Sequence, residues 1–247
     1  MIEIVPESSL GFVYGDNSFE TLESNSMLEY KLERIEKVNE TNVYTLKISR
    51  YEVAHHSLDF AEFAEIKCIH GNEFEVLKVN RLPQEGWQEL IDCWSCHDQE
   101  FKSMLELKMK PRKKGVLISH FYLIADNDAL PACCKGTSKF FYNDVIHKFS
   151  NALLIYKFFE DFFFNKNCLI LNYGNEAIEI KLFYKCEIIL KSKGVEAFKI
   201  GFKRSAKEPD EDSFIGEFFK NLIYDQIRKY QIDVKIMNYK VSFIPCQ

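Results

Sequence analysis

The 247-residue sequence has no long apolar run. Its two most apolar stretches, 116–125 and 153–164, are broken by His120 and by Lys157, Glu160 and Asp161. A membrane-spanning helix needs about 20 predominantly apolar residues, so no membrane span is expected. The first nine residues carry Glu3 and Glu7 and lack a basic start followed by an apolar segment. That excludes the pattern of a secretory signal and predicts an intracellular chain. Basic residues are not in excess either: 32 Lys and Arg face 37 Asp and Glu, for a net charge of −5. A general nucleic-acid binder carries a basic surface, so no direct nucleic-acid contact is expected. The familiar catalytic and nucleotide motifs GxGxxG, GxxxxGK[ST], GxSxG and HExxH are all missing. No repeat or low-complexity stretch is visible, and the chain holds only 10 Gly and 6 Pro.

What the chain does have is 22 Phe, 12 Tyr and 8 Cys, with 47% apolar and 28% charged residues. This is the composition of a folded protein long enough to bury a substantial core. In a reducing compartment the cysteines are expected to be buried thiols or metal ligands rather than disulfides.

The alternation of apolar and polar residues predicts a β-rich α+β fold of antiparallel sheets with a few helices. Leu28, Tyr30 and Leu32 alternate, as do Tyr44, Leu46 and Ile48, then Ala64, Ile66 and Cys68. Phe74 and Val76 continue the pattern, and Leu77 and Val79 shift its face. Local hairpins are expected there, with turns at 39–42 and 70–72. Val116–Ile124 reads as one strand buried on both faces. Residues 144–163 fit a helical period that includes His147 as a structural residue, although the Phe-rich end also suits a strand. Ile178–Tyr184 and Phe198–Phe202 alternate again. Asp212 or Ser213 suits an N-cap for the clearest amphipathic helix, Ile215–Tyr230. A strand over 234–244 closes the chain. The basic run Lys108–Lys114 marks a division into a β-rich half, 1–110, and an α+β half, 111–247, unless the chain is one continuous domain. That run is either a solvated loop or a docking patch for an acidic partner, presented by Arg112, Lys113 and Lys114.

The chemistry concentrates at Cys93-Trp94-Ser95-Cys96-His97. A CxxC spacing lets two thiolates converge on one tetrahedral cation, and His97 adds an imidazole. The remaining ligands of a zinc site can come from Cys68 and His70 or from Cys133 and Cys134. The alternative is a set of buried thiols beside a surface histidine. A thioredoxin-type redox role lacks the required βαβ setting. His55 and His56 are adjacent, and neighbours on a strand point to opposite faces. Cys168, Cys186 and Cys246 lie in or beside apolar strands and read as plain thiols.

The stretch from Leu82-Pro83 through Trp87, Glu89-Leu90 and Trp94-Ser95-Cys96-His97 resembles the hallmark of the HECT-like ubiquitin-ligase family that binds ubiquitin-conjugating enzymes. A strand like Val116–Ile124, a cysteine pair near a glycine (Cys133, Cys134, Gly136) and an apolar segment with a lysine (Tyr156-Lys157) follow in the same order. The resemblance covers roughly residues 66–158. Relatives carry CxxC before the Leu-Pro and again after the strand; here Cys68-Ile69-His70-Gly71 and Cys133–Cys134 stand in those places. The resemblance implies zinc held from among Cys68, Cys96, His97, Cys133 and Cys134. It also implies a nuclear and cytoplasmic protein tied to the metallo-β-lactamase-type endonuclease that cleaves mRNA precursors before polyadenylation. The ligase activity implied by the family requires a ubiquitin-conjugating enzyme as partner and an exposed, low-pKa cysteine as thioester acceptor. No residue is marked as that acceptor, so no catalytic residue is assigned. The expected function is a non-catalytic, chaperone-like partner of the endonuclease, with Trp87 and Trp94 as binding anchors. Ubiquitin transfer, with Cys96, Cys133 or Cys134 as acceptor, is the alternative.

Overall fold

The computed structural model describes residues 1–16, 19–20, 28–51, 53–54, 65–82, 110–119, 122–174, 176–190, 193–206 and 215–246. In chain order the strands are β1 (Ile2–Val5), β2 (Leu10–Tyr14), β3 (Glu29–Val38), β4 (Thr41–Arg50), β5 (Val53–Ala54), β6 (Lys67–Cys68), β7 (Lys78–Arg81), β8 (Gly115–Ile118), β9 (Tyr122–Ala125), β10 (Lys139–Phe141), β11 (Val145–Ile146), β12 (Cys168–Tyr173), β13 (Glu176–Leu190), β14 (Lys193–Ser205), β15 (Ile232–Ile236) and β16 (Tyr239–Pro245). Helix α1 spans Asn151–Asn165 and α2 spans Glu217–Lys229. The architecture is β-rich α+β with an amphipathic helix near the C-terminus, as the alternation predicts.

The chain forms two compact units. One combines Met1–Ser57 with Ser150–Gln247; the other is Leu58–Phe149. This partition differs from the expected division at 110/111, because the N-terminal strands pair with the C-terminal ones. β1 lies between β2 and β13, with Ile2 opposite Val13 on one side and Ile189 on the other.

The first unit is built on one 10-stranded sheet of order β15-β16-β14-β13-β1-β2-β4-β3, with β12 added to β13 and β5 to β14. Hairpin β3–β4 turns at Asn39 and Glu40, both left-handed at φ 47° and 67°. Two successive positive φ values match the right-handed twist of flanking strands. Next to this turn, the Asn39 side-chain amide donates to the Lys235 carbonyl (3.3 Å) and the Thr41 hydroxyl to the Asp233 carbonyl (2.8 Å). The two ends of the strand order are thereby clipped together. Ile2, Ile4, Val13, Leu46 and Ile48 bury one face of β1, β2 and β4, with Phe19 stacked on Tyr44.

The opposite face of β1 is polar and still buried. Glu3 is 0% exposed and Lys199 of β14 only 5%. Lys199 Nζ donates to both carboxylate oxygens of Glu3, at 3.1 and 2.8 Å, and to the hydroxyls of Tyr14 (3.0 Å) and Tyr184 (2.9 Å). Both tyrosine hydroxyls donate in turn to Glu3. A buried ion pair is tolerable only when its remaining hydrogen-bonding capacity is filled, and here each member has several partners. Burial, followed by the charge of Glu3, raises the Tyr14 and Tyr184 hydroxyls above their ordinary value.

Helix α1 begins at Asn151, not near 144, because Ser150 caps it: its Oγ accepts from the Leu153 amide at 3.1 Å. Upstream, Tyr142–Asp144 is a 3-10 turn and Val145–Ile146 pairs with β6, so His147 precedes the helix and packs between the rings of Tyr142 and Phe149. The Phe-rich end is helical. Phe158 meets Phe219 of α2 edge-on, and Tyr156 and Phe163 pack on Phe198 of β14. Replacing Ser150 with alanine is expected to cost about 1 kcal/mol in urea denaturation, the usual value of a lost N-cap. For α2 the N-cap is Gly216, while Asp212 and Ser213 lie outside the described residues.

The second unit holds a four-stranded sheet, β10-β9-β8-β7, and the pair β11–β6. The run read as one strand over 116–124 is two, β8 and β9, paired antiparallel with Val116 opposite Ala125. Two short strands that are each apolar on both faces read as one long one. The run read as one strand over 234–244 is likewise a hairpin, β15–β16, whose turn at Met237 (φ 57°) carries no glycine or proline to mark it. Ile66, Phe74, Ile118, Leu123 and Phe140 fill the core of this unit.

Candidate metal centre

Two loops of the second unit present the cysteines. The first follows β6. Cys68 ends the strand, and the chain folds back at once: the Gly71 amide donates to the Cys68 carbonyl (2.8 Å) and the Cys68 amide to the Asn72 carbonyl (2.9 Å). This turn requires a left-handed residue, and Gly71 supplies it at φ 83° without Cβ strain. Lys67 and Glu73 flank the turn as a bridge partner pair and an ion pair of 2.8 Å. Within it, Cys68 and His70 stand two residues apart.

The second loop starts at Pro131, which fixes φ ahead of a 3-10 turn, Ala132–Cys134. The Cys134 amide donates to the Pro131 carbonyl (2.9 Å), and the Thr137 amide to the Cys134 carbonyl (3.2 Å). Gly136 takes the left-handed conformation at φ 90°, and its amide donates to Asn127 Oδ1. The tight turn directs both adjacent cysteines into the same space.

The ligand atoms of Cys68, His70, Cys133 and Cys134 all lie within 4.8 Å of one another. Cys133 Sγ is 3.6 Å from Cys68 Sγ and 3.7 Å from Cys134 Sγ. A tetrahedral zinc with Zn–S bonds of about 2.3 Å sets its sulfurs about 3.8 Å apart. The observed spacings match that edge. Three thiols and one imidazole also complete the coordination of a structural site. Asn72 Nδ2 donates to Cys133 Sγ at 3.2 Å, an outer-layer hydrogen bond of the kind that orients a ligand. These four residues form a cluster that can hold a metal ion.

The thiols are electrostatically unequal. Burial acts to raise Cys68, yet hydrogen bonds from the backbone at Asn72 and His70 and from the Cys133 and His70 side chains outweigh it and bring the thiol down to about 6. Burial pushes Cys134 up to about 12, reinforced by hydrogen bonding with Cys133 and Cys68. Cys68 is thus a ready thiolate at neutral pH, whereas Cys134 surrenders its proton only to a competing cation.

Of the expected ligands, Cys68, Cys133 and Cys134 come together. Cys96 and His97 lie outside the described residues, as do Trp87 and Trp94. His70 stands as the fourth member, and its sign in the sequence was the Cys-x-His spacing at the end of a strand. Cys186 and Cys246 are buried and Cys168 half-buried, all outside the cluster. In the basic run, Arg112 and Lys113 are exposed. Lys114 is internally engaged: its amide donates to Asp126 (3.1 Å) and its Nζ to Glu75 (2.6 Å).

The chain gives no match to family models, to curated proteins or to solved structures. The functional reading therefore rests on the residues and their geometry. No helix among the described residues is long and apolar enough to cross a membrane.

Proposed function

We propose that the chain is a non-catalytic binding protein stapled by one zinc ion, and that its partner is the metallo-β-lactamase-type endonuclease of mRNA 3′-end cleavage and polyadenylation. The observation that carries the non-catalytic part is the convergence of Cys68, His70, Cys133 and Cys134 within 4.8 Å. A closed four-coordinate cation leaves no open position for substrate and engages the sulfurs that a ubiquitin thioester would need. Two of the three candidate thioester cysteines, Cys133 and Cys134, are thereby assigned to metal binding. Softness favours zinc: three sulfurs and an imidazole select it over magnesium or calcium, which take oxygen ligands. The choice of partner rests on the resemblance at Leu82–His97. It is also consistent with the acidic balance of the chain, which suits a protein acting on the processing machinery rather than on RNA. Arg112 and Lys113 remain the exposed cations for an acidic surface of that partner.

Purification of the tagged chain from its own cells tests this reading. The expected result is one zinc per chain and co-purification of the endonuclease subunit. Zinc without any cleavage-factor subunit sinks the partner. A zinc-free chain that forms a reducible ubiquitin thioester, lost on Cys133→Ser or Cys134→Ser, replaces the reading with the ligase.

A further inference from the structure

The four members of the metal cluster are not equally sheltered. Cys68 is 1% exposed and Cys134 9%, whereas Cys133 and His70 are exposed. Cys133 therefore presents the one exposed sulfur of the three, and it sits between the other two, within 3.7 Å of both. A structural zinc site with every sulfur buried resists oxidants by exclusion; an exposed thiolate does not, because susceptibility follows thiolate character and access.

We infer that this centre is a peroxide-sensitive switch in which Cys133 is the reactive edge, Cys68 the resolving partner, and metal release the output. The inference rests on the zinc reading above. The Cys133 thiolate attacks one peroxide oxygen; the O–O bond breaks, a sulfenic acid forms, and hydroxide leaves as water on taking up a proton. The Cys68 thiolate then attacks Cys133 Sγ, forming the S–S bond and expelling a second hydroxide, which is protonated in turn. Two thiolates, one hydrogen peroxide and two protons thus give one disulfide and two waters. The cysteines lose two electrons, the peroxide gains them, and the zinc does not change oxidation state.

Chain geometry selects Cys68 over Cys134 as the partner. Disulfides join Cα atoms about 4.4–6.8 Å apart, but neighbouring residues are held at about 3.8 Å. A Cys133–Cys134 bond is therefore strained, while Cys68 approaches from a separate loop. Once Cys68 and Cys133 are joined, only His70 and Cys134 remain, two of the four ligands a structural zinc requires. Asn72 sets the threshold. Its N–H···S bond to Cys133 withdraws electron density from the one exposed sulfur and holds it in place. It is a positioning residue, since it acts through Cys133.

The test uses the full chain loaded with one zinc, treated with hydrogen peroxide in the presence of a chromogenic chelator. Release of one zinc per chain, a mapped Cys68–Cys133 disulfide, and recovery of zinc binding after reduction with a phosphine are expected. Asn72→Ala is expected to fold and bind zinc, with affinity weakened about 10-fold as for other outer-layer changes, and to lose it to peroxide faster than the parent chain. Zinc retained under peroxide overturns the switch while leaving the zinc staple intact. So does release with a Cys133–Cys134 linkage or with no disulfide. A chain that holds no zinc before peroxide is added overturns the staple itself, and the switch with it.

Discussion

Cys68→Ser is expected to leave the purified chain with far less than one zinc and to unfold the loops at 66–74 and 130–137. Metal binding and folding are coupled when the ligands sit on separate loops that the cation ties together. The apparent binding free energy of a structural zinc in small zinc-finger peptides is about 10–16 kcal/mol. Even a third of that is a large part of the roughly 5–15 kcal/mol that stabilises an ordinary domain. Elemental analysis gives the metal content, and hydrogen exchange of the Gly71 and Cys134 amides reports the loops. Unchanged zinc and unchanged protection would remove the cluster as a metal site. His70→Cys is the complementary variant and should keep the ion in a four-sulfur site. The pH dependence has a definite sign. Cys68 lies at about 6, so its thiolate is present above that value and is lost as the solution is acidified through it. Cys134, at about 12, must still release its proton to the ion at neutral pH, so zinc affinity is expected to fall on acidification throughout this range and to fall more steeply below about 6, where the Cys68 thiolate is lost as well.

The second large effect concerns the ion pair beneath β1. Lys199→Ala strips the charge partner from a fully buried carboxylate, and breaking a buried pair in this way costs about 3–5 kcal/mol. The tyrosine hydroxyls of Tyr14 and Tyr184 still reach Glu3 but carry no charge. A double variant, Glu3→Gln with Lys199→Met, removes both charges at nearly constant volume and should recover most of the loss. Urea denaturation of the single and double variants measures the difference. A cost below about 1 kcal/mol for Lys199→Ala would show that water reaches this carboxylate in the folded chain.

These two features differ in how visible they are in the sequence. The long strands and α2 announce themselves, because side chains at a period of two or 3.6 record which face is buried. Tyr44, Leu46 and Ile48 do so for β4, and Phe219, Ile223 and Ile227 for α2. β1 is silent for a physical reason: Glu3 is polar yet buried between Ile2 and Ile4, so the strand shows no polar side. Its partner strand lies near the other end of the chain, and no local pattern encodes that pairing. Hairpins between strands apolar on both faces, as in β8–β9, merge into single runs. At the metal cluster, Cys133–Cys134 was visible as a pair, but adjacency alone gives no hint that both sulfurs turn inward. That depends on the 3-10 turn after Pro131. His70 was one of two competing sources for the missing ligands, and loop geometry, not spacing, brings it beside the thiols.

The order of residues in the two units has a consequence for synthesis. Everything the second unit needs has been translated by residue 149, including all four members of the metal cluster. β1 and β2 emerge before that unit, yet β1 waits for β13, which is made after it. Contacts of such long sequence separation are slow to form. On the ribosome the inserted unit can therefore close, and take up its cation, while the N-terminal strands still lack half of their sheet. The β15–β16 hairpin, made after β13, supplies the carbonyls of Asp233 and Lys235 that clip the sheet's ends together. Until β13 is made, β1 is the open and aggregation-prone edge of its hairpin with β2.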